Sequence, residues 1–161
     1  MLPDMDPVEE LRYLVLATQR DGNRALTALL RPHGLTPSQA EVISVLAGAG
    51  RPLTVREVGD HLVCEPGSPS RLVASLVEAG LVDRSVDPRD GRAWTLELSE
   101  SGRQAAEAVR GVDARLHDEL RAGLTSQSDI EATLRVLRRL APDGASAAAL
   151  GRRLAAEAAR S

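Results

Sequence analysis

Phenylalanine is absent from this 161-residue chain, and Tyr13 and Trp94 are its only aromatic residues. At 43% apolar content the chain can still build one core, but Leu, Val and Ala must fill it. Leu and Ala lose little side-chain entropy in a helix, so the composition leans to α. Lysine is also absent: all 20 basic residues are arginine, and the net charge is −3. Such a chain is no general binder of polyanions, and any affinity for DNA must come from local arrangement. The single cysteine, Cys64, excludes an internal disulfide and a cysteine-based metal cluster. His33, His61 and His117 are too scattered to suggest a metal site. There is no phosphate loop, nucleophile elbow or cleft-forming acid pair, so neither an enzyme nor a cofactor is expected. Apolar runs are only a few residues long, and none suits a membrane span. The opening MLPDMDPVEE is acidic without an apolar run, which reads as no signal peptide and a cytoplasmic location.

What is present is helical periodicity punctuated by caps. Val8, Leu11, Val15, Thr18, Ala25, Leu26 and Leu29 recur at helical spacing behind Pro7. They predict a helix of about 24 residues, closed by the break Arg31-Pro32-His33-Gly34. Thr36-Pro37 caps a second helix carrying Ala40, Val42, Ile43, Val45 and Leu46, ended by Gly48 to Pro52. Thr54 with Glu57 forms a capping box for a short helix from Val55 to Leu62. Pro69 is comfortable only in a first helical turn, so the next helix is expected to start between Pro66 and Ser68. It runs to Ala79 with Leu72, Val73, Leu76 and Val77 buried, and Gly80 stops it. Residues 81–86 and 93–98 read as two strands around the turn-rich loop Asp87-Pro88-Arg89-Asp90-Gly91-Arg92. Three further helices follow, from Glu100 to Leu120 or beyond, from Ile130 to about Leu140, and from Ala145 to Arg160.

Two helices joined by a short turn, 55–62 and 68–79, make a helix-turn-helix arrangement. The second exposes Gly67, Ser68, Ser70, Arg71 and Ser75 toward its start. Small side chains there let the backbone approach a major groove. Hydroxyls can bond phosphates or base edges, and Arg can bond guanine through two parallel donors. Arg89 and Arg92 lie near the hairpin tip, where arginine on a thin ribbon suits the negative potential of a narrow minor groove.

Four stretches in order resemble the MarR family of winged helix-turn-helix transcription regulators. Leu35-Thr36-Pro37-Ser38-Gln39 is similar to the opening of that family's second helix. Leu53 to Val82, ending Val77-Glu78-Ala79-Gly80-Leu81-Val82, resembles its helix-turn-helix. Asp87 to Arg92 resembles its wing motif, and Leu98-Ser99-Glu100-Ser101-Gly102 the segment after the wing. The resemblance covers about residues 8–140. It implies a mainly α fold with a small β-hairpin wing: an N-terminal dimerisation helix (1–34), a winged helix-turn-helix lobe (35–99) and C-terminal dimerisation helices (100–161). It also implies a homodimer on a pseudo-palindromic operator in double-stranded DNA, with half-sites roughly 10 bp apart. The implied role is a repressor released by a small aromatic ligand, often phenolic in the family. Ser68, Ser70 and Arg71 fall on recognition-helix contact positions, Arg89 and Arg92 on the wing arginines, and Asp90 on the acid that holds a wing arginine. Two features depart from the family pattern: the Pro- and Gly-rich tract Glu65 to Pro69, and the length of the tail beyond Asp143.

Several residues have a second reading. Ser68 and Ser70 can cap the helix as well as contact DNA. Cys64 reads as a buried, inert thiol rather than an oxidant sensor. Tyr13 can line a ligand pocket or pack at the dimer interface, and packing is expected. Trp94 is expected to cover the base of the hairpin. Between Arg51 and Arg92 six arginines face seven acids, a lobe charge of −1. Background DNA affinity should therefore be modest and salt-sensitive. The same near-neutrality motivates an alternative function, a winged-helix dimer serving as a protein-interaction module without DNA binding.

Overall fold

Local cap chemistry sets the limits of the helices. The computed structural model describes residues 5–63, 68–87, 91, 93–124, 126–141 and 143–159. Helix α1, Pro7–Leu30, begins where the Asp6 carboxylate accepts the Val8 amide. A single 3₁₀ turn, Arg31–His33, ends in Gly34 at φ 68°, a left-handed backbone that glycine adopts without strain. Helix α2, Pro37–Ala49, has a complete capping box between Thr36 and Gln39. Strand β1, Leu53–Thr54, leads directly into α3, Val55–Gly59, which has a second capping box between Thr54 and Glu57. Each such cap contributes about 1 kcal/mol. Then come α4 (Pro69–Glu78), β2 (Val82–Val86), β3 (Trp94–Leu98), α5 (Glu100–Ala122), α6 (Gln127–Leu140) and α7 (Ala145–Ala158).

The expected order of elements is present, with four differences. The segment Leu53–Thr54 is a strand as well as a cap: it pairs antiparallel with β3, Leu53 opposite Leu96, giving a sheet of order β1-β3-β2. Helix α3 ends at Gly59 rather than Leu62, and its last turn tightens into bonds from His61 N–H to Val58 and from Leu62 N–H to Gly59. Helix α4 starts at Pro69, behind the cap Ser68, rather than earlier. Helix α6 starts at Gln127 because the Ser126 side chain accepts the Asp129 amide.

The core lies under the helix-turn-helix. Leu30, Val42, Ile43, Val58, Leu76 and Leu96 are fully enclosed, with Val82 and Leu53 beside them. Val82 opposes Leu98 across the hairpin, so Val82 at the start of β2 and Leu96 and Leu98 of β3 close over α2 and α4, while the rest of β2 is exposed. Outside this body the helices change character. In α1, Leu11, Leu14 and Val15 stand exposed and Val8 is 72% exposed. In α6, Leu134, Val136, Leu137 and Leu140 are all exposed, and no residue of that helix is buried.

Candidate nucleic-acid interface

The recognition element is held from three sides. On the first, α3 is locked by its capping box. The Glu57 carboxylate accepts the Thr54 amide at 2.7 Å and the Arg51 guanidinium at 2.7 Å. Those bonds, the Arg51 one foremost, hold the Glu57 carboxyl down to about 2 from an ordinary 4.5. On the second, α3 and α4 meet at Gly59, where a Cβ would lie 2.9 Å from Cγ of Pro69. Only glycine lets the two helices approach so closely. On the third, the Glu41 carboxylate of α2 accepts the Val63 amide at 2.7 Å, securing the chain as it leaves α3.

Helix α4 divides cleanly into two faces. Val73 and Leu76 are buried, and Leu72 and Val77 are packed against the core. Ser68, Ser70, Arg71, Ala74 and Glu78 are exposed at spacings that share one face. Ser68 accepts the Arg71 amide at 3.4 Å as the helix cap, so its hydroxyl serves the helix while standing at the surface. Ser70 and Arg71 project to solvent. Ser75 is placed differently from its expected DNA-facing position. Its hydroxyl donates to the Leu72 carbonyl at 2.8 Å and accepts Gln39 Nε2 at 3.2 Å, so it ties α4 to α2. Periodicity alone did not separate it from its exposed neighbours, because a small polar residue suits either side. Ala74 and Glu78, which the sequence reading passed over, complete the outward face.

The end of α4 is built as carefully as its start. Gly80, at φ 70°, donates to the Val77 carbonyl, and Leu81 donates back to Leu76, a Schellman closure. From there β2 rises into the wing. The Arg89, Asp90 and Arg92 side chains expected at the tip lie outside the described residues. The wing's base is described: Asp87 N–H donates to the Ala93 carbonyl at 2.9 Å, extending the ladder beyond Val86 and Trp94. Trp94 is 46% exposed; it shares a strand face with the buried Leu96 and Leu98 but lies toward the tip, beyond the core. The Arg84 guanidinium lies 4.7 Å from its ring centre, a cation–π pairing. Cys64 and the rest of the tract 64–67 also lie outside the described residues.

At the foot of the wing Ser99 joins three elements. Its hydroxyl donates to the Gly80 carbonyl at 2.6 Å and accepts the Gly102 amide at 3.0 Å, while its amide donates to Leu81. Helix α5 thereby starts in fixed relation to the end of α4 and the start of β2. The arrangement presents a narrow helix face and a β-ribbon side by side, with hydroxyls and a guanidinium at the start of α4 and carboxylates at its end and on the ribbon.

The family model described as MarR family matches residues 33–93. An uncharacterised HTH-type transcriptional regulator of Mycobacterium bovis is 36% identical over 73 residues, 45% of this chain and 50% of its own length. The chain thus spans about half the length of the curated relatives it matches. A cysteine-to-serine mutant of MarR from E. coli, crystallised with operator DNA, superposes with a TM-score of 0.73 at 24% identity over 86% of this chain and 100% of that one. An organohalide-sensing transcriptional regulator bound to 2,4-dichlorophenol gives a TM-score of 0.73 at 18% identity, covering 85% of this chain and 80% of that one. The relatives' names are those of regulators, in line with the expectation of no enzyme. Residues 33–93, which span the helix-turn-helix and the first strand of the hairpin, are similar to the MarR family, and the chain carries the fold of MarR winged-helix regulators.

Proposed function

We propose that this protein is a homodimeric, sequence-specific DNA-binding transcription regulator of the cytoplasm. It sits on a pseudo-palindromic operator and represses by covering it. The observation that carries the reading is the outward face of α4. Ser68, Ser70 and Arg71 crowd its N-terminal turn, where backbone N–H groups and the helix dipole also favour a phosphate. Arg71 reads a base edge and the two serines fix the register on the backbone. Arg89 and Arg92 enter the minor groove, with Asp90 holding one of them. Ser75 acts at one remove, by setting α4 against Gln39.

The dimer is supported by the apolar faces of α1 and α6. Leu11, Leu14, Leu134, Leu137 and Leu140 form stripes of a kind a soluble monomer rarely leaves open. A second copy covers them with the same residues, and its lobe then meets the second half-site. Release by a small aromatic ligand is the further part of the reading. It is motivated by the family resemblance and by the related fold bound to 2,4-dichlorophenol.

A gel-shift assay on DNA upstream of the protein's own gene tests the proposal. A salt-sensitive shift that an unrelated duplex cannot compete away is the expected result. No specific shift at low ionic strength would favour the alternative, a winged-helix dimer that engages proteins, which the near-neutral lobe also fits.

A further inference from the structure

The tail beyond Asp143 does not pack as an extension of the α5 and α6 surface. Its helix, α7, returns to the DNA-binding lobe of its own chain. Ala149 of α7 is completely buried. Two polar side chains on α7 reach the start of the turn that joins α3 to α4, and a third reaches Glu41 of α2, which holds that turn. Ser146 donates to the Val63 carbonyl at 3.1 Å, and Arg152 donates to the Asp60 carbonyl at 2.5 Å. Arg153 pairs with Glu41 at 2.8 Å. The Glu41 side chain is 7% exposed, and the same oxygen accepts the Val63 amide.

These contacts share one target. Helix α3 is five residues long and its end is capped by Asp60. Carbonyls at the end of a helix need donors from elsewhere, and cations suit them best. Arg152 supplies one such donor and Ser146 supplies the next along the chain. Val63 is consequently held at both its N–H, by Glu41, and its carbonyl, by Ser146. Arg153 offsets the cost of keeping the Glu41 carboxylate out of water. Its charge also acts on Asp113 of α5, whose carboxyl burial pushes up against the pull of His117 and Arg153. So α7 bridges α2 and the start of the helix-turn-helix turn.

We propose that α7 is an intramolecular splint for the helix-turn-helix turn, with Ser146, Arg152 and Arg153 as positioning residues for the recognition helix. The inference rests on the DNA-binding reading above. A turn fixed before DNA arrives raises the fraction of molecules ready to bind, and so raises the apparent affinity. None of the three side chains needs to touch DNA for this.

The test uses full-length variants Ser146→Ala/Arg152→Ala, Arg153→Gln and Arg153→Lys. The probe is a duplex of about 30 bp selected from a random pool by the unaltered chain, long enough for two half-sites. Amide exchange across residues 60–63, measured without DNA, is expected to quicken on the order of tenfold in the first two variants. Affinity for the selected duplex should weaken on the order of tenfold with the slope against salt unchanged, since no phosphate contact is lost. Arg153→Lys should restore most of both. The serine and arginine of the double variant are exposed, so it keeps the test open if Arg153→Gln fails to fold. Unchanged exchange at 60–63 overturns the splint. Looser exchange with equal or tighter DNA binding overturns its positioning role. A chain that selects no duplex refutes the regulator reading instead, and the exchange measurement then still judges the splint.

Discussion

Replacing Gly102 with alanine probes the joint on which the wing is mounted. In an ordinary helix interior that change gains about 1 kcal/mol from propensity. Here the new Cβ would overlap the backbone carbonyl oxygen of Leu81, and would lie 3.0 Å from its carbonyl carbon and 3.3 Å from Cβ of Leu98. The carbonyl cannot simply swing aside. It accepts the Ser99 amide at 3.1 Å, and the Leu81 amide is itself tied to Leu76 at 2.9 Å. Overpacking against backbone costs about 1–3 kcal/mol or more, and loosening a buried hydrogen bond adds about 1. After the propensity gain, Gly102→Ala should destabilise the fold by about 1–3 kcal/mol. Urea unfolding followed by circular dichroism, at one protein concentration because the protein is read as a dimer, should show the midpoint falling by about 1–2 M. A midpoint that stays or rises would refute the reasoning, since helix propensity would then outweigh the contact with Leu81.

Glu57 offers a pH test with a definite sign. Its carboxyl is held at about 2 in the folded chain against an ordinary 4.5, so the stabilisation is present above about 4.5 and is lost as pH falls toward 2. With 35% of the side chain exposed, solvent screening leaves about 1 kcal/mol. Glu57→Gln should be less stable by that amount at pH 7, with the gap closing in urea melts at the acid end. Asp113 has the opposite sign: burial raises its carboxyl, so the charged form costs stability as pH rises through the shifted value. Asp113→Asn should raise the melting temperature at pH 7 by a few degrees and change little below the ordinary aspartate range. Leu137→Arg, on the exposed stripe of α6, should weaken dimerisation by about 100-fold or more in light scattering, because it buries an unpaired charge at the proposed interface.

The parts of the fold legible in the sequence are those written in local chemistry. Pro7 and Leu30 bound α1 as the periodicity implies, and Thr36, Thr54, Ser68 and Gly80 act as the caps and stop their residue types suggest. What escaped the reading depends on residues far apart in the chain. Strand β1 is two residues long and exists only because β3, more than 40 positions later, offers it a ladder. Gly59 at the end of α3 leaves room for Pro69, a fit visible only once the two helices are packed. Ser75 turns inward because Gln39 of α2 is there to meet it, and no helical period records that. The Glu41–Arg153 pair joins residues 112 positions apart, so nothing local to either residue marks it. Of the proposed DNA contacts, the α4 residues are both legible and described, whereas the wing arginines are carried by the motif around Asp87 to Arg92 alone.

The central claim, that this winged helix reads DNA through α4, is tested most directly by salt-dependent binding of two proteins, the unaltered chain and Arg71→Ala. Each is titrated by fluorescence anisotropy onto upstream DNA and onto a scrambled duplex of the same length. The unaltered chain should prefer the upstream duplex by at least 1,000-fold, with affinity falling steeply as salt rises. Arg71→Ala should lose about 1–3 kcal/mol on the upstream duplex and little on the scrambled one, because a base contact carries discrimination and a phosphate contact does not. Equal binding of the unaltered chain to both duplexes, or an Arg71→Ala protein that discriminates as well as its parent, would contradict the account.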